Sequence, residues 1–183
     1  MNLYTIGYEG LRMDAFAACL AAHRVETVVD VRQLPLSRKP GFSKSALAAN
    51  LSQRNFGYVH RPELGCPRPI RDQYRQNEDW NQYTESFLNY IATQDEALSD
   101  LAGFASRITC ALLCYEADYN FCHRSMVADA VARRAKLTVS HIMPATVSNA
   151  PAAQLRQAPA HARARRKPGA PYDRSEIQHN PDA

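Results

Sequence analysis

The chain has 183 residues, 45% of them hydrophobic and 22% charged, and a formal net charge of +4, as expected for an ordinary soluble globular protein. It has no run of about 18 apolar residues, so no transmembrane span is predicted, and its first residues lack the basic and apolar regions of a secretory signal. Its five cysteines are therefore expected to be reduced thiols in the cytoplasm.

Patterns typical of strands and helices alternate along the first 143 residues. Short apolar or β-branched runs predict strands at residues 3–6, 27–31, 57–60, 108–115 and 137–142. Apolar residues at helical spacing predict helices near residues 16–23, 43–51, 83–90, 98–104 and 122–135, with Ser43 as an N-cap. This order predicts an α/β fold of three layers, in which a mainly parallel sheet carries helices on both faces.

The composition changes at about Pro144. Six of the eleven prolines follow this point, and large apolar residues become scarce. We therefore expect one domain over residues 1–143 and a disordered, proline-rich, basic tail over residues 144–183. The basic cluster at residues 163–167 either adds contacts to nucleic acid or serves only to keep the tail solvated.

The charge is distributed unevenly. Residues 32–75 carry nine basic and two acidic side chains, a net charge of +7. The flanking segments 1–31 and 76–147 have net charges of −2 and −4, and residues 148–183 have +3. This asymmetry indicates a local anion-binding surface, although a solvated basic face without a partner would have the same composition.

Unusual polar residues follow the predicted strands, where each strand leads into a helix. In parallel α/β sheets ligands bind at this carboxyl edge, so these residues are expected to form one site. The candidate substrate-binding residues are Tyr8, Arg12, Asp30, Arg32, Ser37, Arg38, Phe42, Ser43, Tyr58, Glu63 and Arg124.

Two of these segments have a specific chemical interpretation. Asp30 and Arg32 are two residues apart, so they either hold a substrate between them or form a structural ion pair. The loop from Ser37 to Ser43 is basic and leads into a helix, where backbone N–H groups could hold a phosphate or carboxylate.

The segment Cys122-His123-Arg124 is the clearest candidate for chemistry. Cys122 is expected in the first turn of a helix, where the helix dipole favours a thiolate. His123 is a candidate proton-transfer group, and Glu116 is a second candidate acid or base. With His60 these form the predicted catalytic set, while the alternative is that Cys122 is a small buried residue.

The cysteine spacing does not indicate a metal centre. Cys110 and Cys114 would lie about 13 Å apart along a strand, too far to share one ion. Cys114 with Cys122 and His123 remains a possible set of ligands, although it lacks the paired spacing of common zinc sites. The sequence therefore predicts no metal and no other cofactor.

The motifs resemble those of an uncharacterised bacterial family, domain of unknown function 488. Six blocks carry the resemblance: Thr-Ile-Gly-Tyr at 5–8, Val-Asp-Val-Arg at 29–32, Pro-Leu-Ser-Arg with Pro-Gly-Phe-Ser at 35–43, Tyr-Val-His-Arg-Pro-Glu-Leu-Gly at 58–65, Leu-Leu-Cys-Tyr-Glu at 112–116 and Cys-His-Arg at 122–124. The resemblance implies an α/β fold and an enzymatic site of Cys, His, Arg and Glu, but no particular reaction. Cys66 stands where the family often has Gly, so no shared role is expected for it.

Three functions fit these observations. The first is a hydrolase or transferase with a cysteine nucleophile or a glutamate acid/base, acting on a nucleotide or nucleic acid, with Tyr8, Tyr58 or Phe42 stacking on a base. The second is a rhodanese-like sulfurtransferase with a persulfide on Cys122. The third is a non-catalytic nucleic-acid-binding module. A phosphate-bearing partner is expected in the first and third, a membrane in none, and the sequence does not indicate the oligomeric state.

The rhodanese-like hypothesis depends on two segments. Asp-Val-Arg at residues 30–32 resembles a motif near the start of that family. In rhodaneses, however, the cysteine opens a short loop that wraps the sulfur before the helix begins. Here the run Cys-His-Arg-Ser at residues 122–125 enters its predicted helix at once.

Overall fold

The computed structural model describes residues 2–143 of the chain. One five-stranded sheet contains β1 (Asn2–Gly7), β2 (Thr27–Asp30), β3 (Gly57–His60), β4 (Cys110–Cys114) and β5 (Thr138–Ile142). The helices are α1 (Met13–Ala22), α2 (Lys44–Ser52), α3 (Arg68–Asn77), α4 (Trp80–Ala92), α5 (Asp95–Ala105) and α6 (His123–Ala135), with 3-10 turns at Pro62–Leu64 and Tyr119–Phe121. The predicted α/β fold is confirmed; the tail predicted for residues 144–183 lies outside the described residues.

All neighbouring strands are parallel, and their order is β3-β2-β4-β1-β5. The chain leaves β1 for β2 and β3 on one side, then returns to place β4 between β1 and β2. From β4 it continues in the opposite direction to β5. The connections after β1 and β4 therefore diverge, which leaves a crevice at the carboxyl edge of these two strands.

Apolar residues cover both faces of the sheet. On one face Ile6, Val28 and Leu113 pack with Phe16 of α1 and Leu47 of α2. On the other face the core includes the following residues of the sheet, α4, α5 and α6: Leu3, Val29, Leu112, Phe87, Leu101 and Val127. Because α1 and α6 lie on opposite faces, the three-layer arrangement expected from the order of elements is present.

The carboxyl ends of the central strands are aligned. Gly7 pairs with Cys114, Asp30 pairs with Leu113, and Asp30 also pairs with His60. The polar residues that follow the strands therefore share one edge, as the sequence predicted.

The structure differs from the sequence-based prediction at two elements. The strand predicted over residues 108–115 is shorter, because the N–H of Ile108 donates to the carbonyl of Phe104 and prolongs the end of α5 (3.1 Å). Helix α3 was not predicted, because it has no fully buried residue; only Ile70 and Tyr74, one turn apart, pack partly against the core.

Within residues 2–143, none of the helices has the length and apolarity needed to cross a membrane.

Candidate functional site

A cavity of about 630 Å³ opens at the carboxyl edge of the sheet, where the connections after β1 and β4 diverge. Its lining comes from the loop after β2, from α3 and from the segment between β4 and α6. The buried lining residues, among them Cys114, Cys122 and His123, form the floor of the cavity. The more exposed ones, among them Arg38, Lys39, Arg71 and Arg75, form its basic mouth.

Two thiols and one imidazole lie together in the floor. Cys114 is the last residue of β4, Cys122 is the N-cap of α6, and His123 is the first residue of that helix. Their sulfur atoms and a ring nitrogen all lie within 4.8 Å of one another. All three residues are buried, and we call them the Cys2His cluster.

The orientation of the His123 ring follows from one hydrogen bond. Its Nε2 lies 2.9 Å from the carbonyl oxygen of Val31. Because a carbonyl can only accept, Nε2 carries the hydrogen. Nδ1 then faces the cluster, 3.8 Å from Sγ of Cys114, and presents a lone pair to it when the ring is neutral.

Glu116 touches both sulfur atoms. Its Oε2 lies 3.0 Å from Sγ of Cys114 and 3.3 Å from Sγ of Cys122. Burial, followed by the charge of Cys122, raises the pKa of Glu116 to about 7. A carboxyl group with this pKa can both give and take a proton near neutral pH.

The two thiols have opposite acidities. Burial disfavours the Cys122 thiolate, but the Cys114 hydrogen bond and the charges of Arg124 and His123 lower the pKa of Cys122 well below its usual value. The same hydrogen bond and burial raise the pKa of Cys114. Cys122 is therefore the more acidic thiol of the pair, and Cys114 is the less acidic one.

Arg124 stabilises the loop that carries Glu116 by hydrogen bonds to its backbone. Its side chain is fully buried, and its Nη1 and Nη2 donate to the carbonyl oxygens of Glu116 (2.5 Å) and Ala117 (3.0 Å). This arrangement holds the loop after β4 in place. Arg124 does not line the cavity, so it acts on Cys122 by its charge and position.

Arg32 lines one wall of the cavity and forms hydrogen bonds with three other residues. Its Nε and Nη2 donate to the two carboxylate oxygens of Asp30, at 2.8 and 2.5 Å. Its Nη1 donates to the Tyr8 hydroxyl and to the carbonyl of Phe42. Burial opposes the charge of Arg32, but the hydrogen bond and charge of Asp30 raise its pKa overall. Of the two sequence interpretations, the pair has the geometry of a structural ion pair.

The mouth of the cavity is basic and partly aromatic. Four cationic side chains line it, those of Arg38, Lys39, Arg71 and Arg75. Arg71 donates to Gln33 at 3.1 Å, and the Lys39 ammonium donates to the Tyr8 carbonyl at 3.1 Å. Arg38 is exposed. Tyr74, Trp80 and Tyr115 supply aromatic surface between these charges.

The structure brings together seven of the predicted site residues at the cavity: Cys122, Glu116, His123, Tyr8, Arg32, Ser37 and Arg38. The others do not line it: His60, Arg12, Asp30, Phe42, Ser43, Tyr58, Glu63 and Arg124. His60 bonds the Arg32 carbonyl at 2.9 Å, and Tyr58 donates to Asp30 at 2.7 Å. Phe42 is fully buried and stacks on Tyr8 at 4.4 Å between ring centroids.

The remaining predicted residues lie at helix N-termini or beside an oppositely charged side chain. Ser43 is the N-cap of α2, which confirms its predicted position, and Arg12 is the N-cap of α1. Glu63 lies 3.7 Å from Arg61. Cys110 is fully buried in the core, and Cys19 is half-buried on α1.

Several lining residues were not predicted from the sequence. Arg71, Tyr74 and Arg75 belong to α3, whose only indications were the spacing of Ile70 and Tyr74 and a proline near its start. The sequence places Cys114 at the carboxyl edge, where the most strongly predicted strand ends, but Cys114 was not among the predicted catalytic or binding residues.

The family model of "Domain of unknown function DUF488" matches residues 12–131 of the chain. Neither the curated proteins nor the solved structures contain a match.

Proposed function

The chain belongs to the DUF488 family, and from this premise and the geometry of the cavity we propose that the protein is an enzyme acting on a phosphate-bearing substrate, a nucleotide or a nucleic acid. One observation carries the proposal. Buried reactive groups and a basic mouth open into the same cavity. Such a site can hold an anionic group at its rim while chemistry takes place at its floor.

The mouth suits a phosphate. Arginine recognises phosphate oxygens through paired N–H donors, and Arg38 and Arg71 both line the cavity. Tyr74 and Trp80 lie beside them, and aromatic rings of this kind stack on nucleobases. The cavity volume of about 630 Å³ also falls within the range of small-molecule sites.

The floor suits proton transfer. Glu116 is half-buried, faces the cavity and contacts both thiols, so it is assigned the role of general acid or base. Cys122 stands at the reacting centre beside it, and His123 orients the pair. The reaction class, hydrolase or transferase, follows from whether water or a second substrate accepts the transferred group.

Binding is the first test of this proposal. Titration calorimetry with AMP, inorganic phosphate and a short single-stranded oligonucleotide should detect at least one ligand. Arg71→Gln should weaken binding about tenfold, because it removes one charge-assisted contact worth about 1.4 kcal/mol. Arg107→Gln is the matched control, since Arg107 is exposed, lies outside the cavity lining and carries the same charge.

Turnover is the second part of the test. Mass spectrometry of nucleotides and oligonucleotides incubated with the protein should reveal a product. Glu116→Gln and Cys122→Ser should abolish the product while affinity stays within about threefold, whereas Cys19→Ser should behave as wild type. Salt-dependent binding that weakens equally in Arg71→Gln and Arg107→Gln, with no turnover, would instead support the non-catalytic binding module.

Sulfur transfer is a second candidate, favoured by the buried Cys122, whose pKa is lowered, below a basic mouth, although Cys122 directly precedes α6 without the loop that wraps the sulfur in rhodaneses. Thiosulfate would give its outer sulfur to the Cys122 thiolate and leave as sulfite, so atoms and charge balance. Intact-mass measurement after thiosulfate treatment separates this candidate from the first. A gain of one sulfur atom that Cys122→Ser loses supports it, and an unchanged mass rules it out.

A further inference from the structure

The Cys2His cluster has the composition and geometry of a set of metal ligands, which the proposed enzyme activity does not require. Its two sulfur atoms and one imidazole nitrogen converge in a buried corner of the cavity. We propose that Cys114, Cys122 and His123 bind a thiophilic divalent cation of the Zn²⁺ class. The proposal rests on this convergence and holds whether or not the protein acts on a phosphate-bearing substrate.

The distances suit tetrahedral coordination. Zinc binds thiolate sulfur at about 2.3 Å and imidazole nitrogen at about 2.0–2.1 Å, so neighbouring ligand atoms of a tetrahedral site lie about 3.6 Å apart. Nδ1 of His123 lies 3.8 Å from Sγ of Cys114, and all three ligand atoms lie within 4.8 Å of one another. Side-chain movements of about 1 Å or less would complete the coordination geometry.

The histidine is oriented for this role. Metal-binding histidines commonly donate their second ring N–H to a carbonyl or carboxylate, which fixes the ring and directs the other nitrogen at the ion. Here the Nε2–H of His123 donates to the Val31 carbonyl at 2.9 Å. The orientation of Nδ1 is therefore set by the backbone at the end of β2 and exists before any ion binds.

The ligand types select the ion. Two thiolates and one imidazole favour Zn²⁺ over Mg²⁺ or Ca²⁺, which take oxygen ligands in larger numbers. Two thiolates also neutralise a divalent charge in this buried place. Binding releases the thiol proton of Cys114, as coordination by cysteine requires.

Three protein ligands leave one position of a tetrahedron open. In catalytic zinc sites that position holds water or substrate, and here the cluster lines the cavity beside Glu116. With the ion bound, Cys122 becomes a ligand and is no longer a free nucleophile. The ion content therefore also decides which role Cys122 has in the proposed enzyme.

The test measures metal in the full chain, without any substrate. Tag-free protein is purified with a thiol reductant, and its zinc content is measured by mass spectrometry. The metal-free protein is then titrated with Co²⁺, whose thiolate charge-transfer and tetrahedral ligand-field absorption report the ligand types. We expect about one ion per chain with both absorptions.

Variants assign the ligands. Cys114→Ser and Cys122→Ser should each weaken Co²⁺ and Zn²⁺ binding by more than about 100-fold, beyond the usual effect of changing a supporting residue. His123→Gln should do the same, and thermal unfolding will show whether each variant is folded. Cys66→Ser is the matched control, because Cys66 is a buried thiol that lines the same cavity but does not belong to the cluster.

Three results would overturn the proposal. The first is wild-type protein that binds neither ion while all five thiols react with a thiol reagent. The second is a disulfide between Cys114 and Cys122 in the peptide map of protein purified with reductant. The third is full metal binding by both folded cysteine variants, or an equal loss in Cys66→Ser. None of them depends on turnover, so the proposed function could fail while the metal site stands.

Discussion

Asp30 holds together the residues that shape one wall of the cavity. Its carboxylate accepts from Nε and Nη2 of Arg32 and from the Tyr58 hydroxyl. It also accepts from the backbone N–H of Arg32 at 3.1 Å. Asp30 is fully buried and Arg32 is 6% exposed, so neither charge has an alternative partner in water.

Replacing Asp30 with Asn should therefore destabilise the fold strongly. The change keeps the shape of the side chain but leaves the Arg32 guanidinium buried without a counter-charge. We expect Asp30→Asn to lower the free energy of unfolding by about 3–5 kcal/mol. Urea denaturation followed by circular dichroism measures this difference.

The control for this prediction is the exposed pair of Asp14 and Arg54. Nη2 of Arg54 lies 2.8 Å from Oδ1 of Asp14, but the Asp14 side chain is 83% exposed. Exposed pairs contribute about 1 kcal/mol or less, so Asp14→Asn should change stability little. Equal effects of Asp30→Asn and Asp14→Asn would contradict the assignment of a buried structural pair.

The sequence could not decide between the two interpretations of Asp30 and Arg32. Their separation predicts only that both side chains lie on one face of a strand. Strand β2 in fact ends at Asp30, and the Arg32 side chain turns back to reach the carboxylate. The Tyr8 hydroxyl and the Phe42 carbonyl then complete its contacts, and these residues come from loops whose proximity depends on tertiary structure.

The end of β1 and the loop after β4 are in close contact at Gly7. A Cβ atom at this position would lie 1.8 Å from the carbonyl oxygen of Glu116. That carbonyl also accepts the Arg124 hydrogen bond. The absence of a side chain at Gly7 thus allows the loop that carries Glu116 to lie over the strand end.

Gly7→Ala should displace this loop and destabilise the protein by about 3 kcal/mol or more, because the clash is with backbone atoms. Gly103→Ala provides the opposite control, since Gly103 lies in α5 and an added Cβ would meet only the end of Arg107 at 4.0 Å. That variant should gain about 0.5 kcal/mol from the higher helix propensity of alanine. Thermal and urea unfolding measure both, and a loss no greater in Gly7→Ala than in Gly103→Ala would contradict the close contact.

The predicted elements agree with the structure where a strong local pattern is present. The strand Gly57–His60 has the predicted ends. Helices α4 and α5 bury Tyr83, Phe87, Leu98 and Leu101 of the predicted apolar stripes, while Tyr90 and Phe104 are partly buried against the same core. Helix α3 was missed because its stability comes from neighbours and not from an apolar stripe of its own. It contacts α4, and the ring of Tyr74 lies 5.7 Å from that of Trp80.

The loop after β4 explains why the spacing of the cysteines left the Cys2His cluster as no more than a possible metal site. Cys114 ends a strand, and Cys122 and His123 begin a helix eight residues later. Their convergence requires the intervening loop to fold back, which the backbone contacts of Arg124 secure. Linear spacing of cysteines, the usual indication of a zinc site, contains no information about such a return.

The ion pairs change the interpretation of the positive charge in residues 32–75. Of the nine basic residues in the segment with a net charge of +7, five form ion pairs: Arg32, Arg54, Arg61, Arg68 and Arg75. Three of the other four line the cavity, namely Arg38, Lys39 and Arg71. The positive charge of this segment that has no ion pair among the described residues is thus concentrated at the mouth.

The remaining positive charge lies in residues 148–183, with six basic and three acidic side chains. A chain ending at residue 143 keeps the whole sheet and both described cores, so it should unfold cooperatively within a few degrees of the full chain. It should bind AMP with unchanged affinity, because the lining residues that the structure describes lie within residues 8–123.

Oligonucleotide binding, in contrast, should weaken in the shortened chain, because the basic cluster at residues 163–167 is lost. The slope of log K against log salt should fall by about 0.7 for each phosphate contact removed on a single strand. Fluorescence anisotropy between about 50 and 200 mM salt covers the range in which this difference is large. An unchanged slope would show that the cluster makes no phosphate contact, and the anion-binding surface would then be the mouth of the cavity alone.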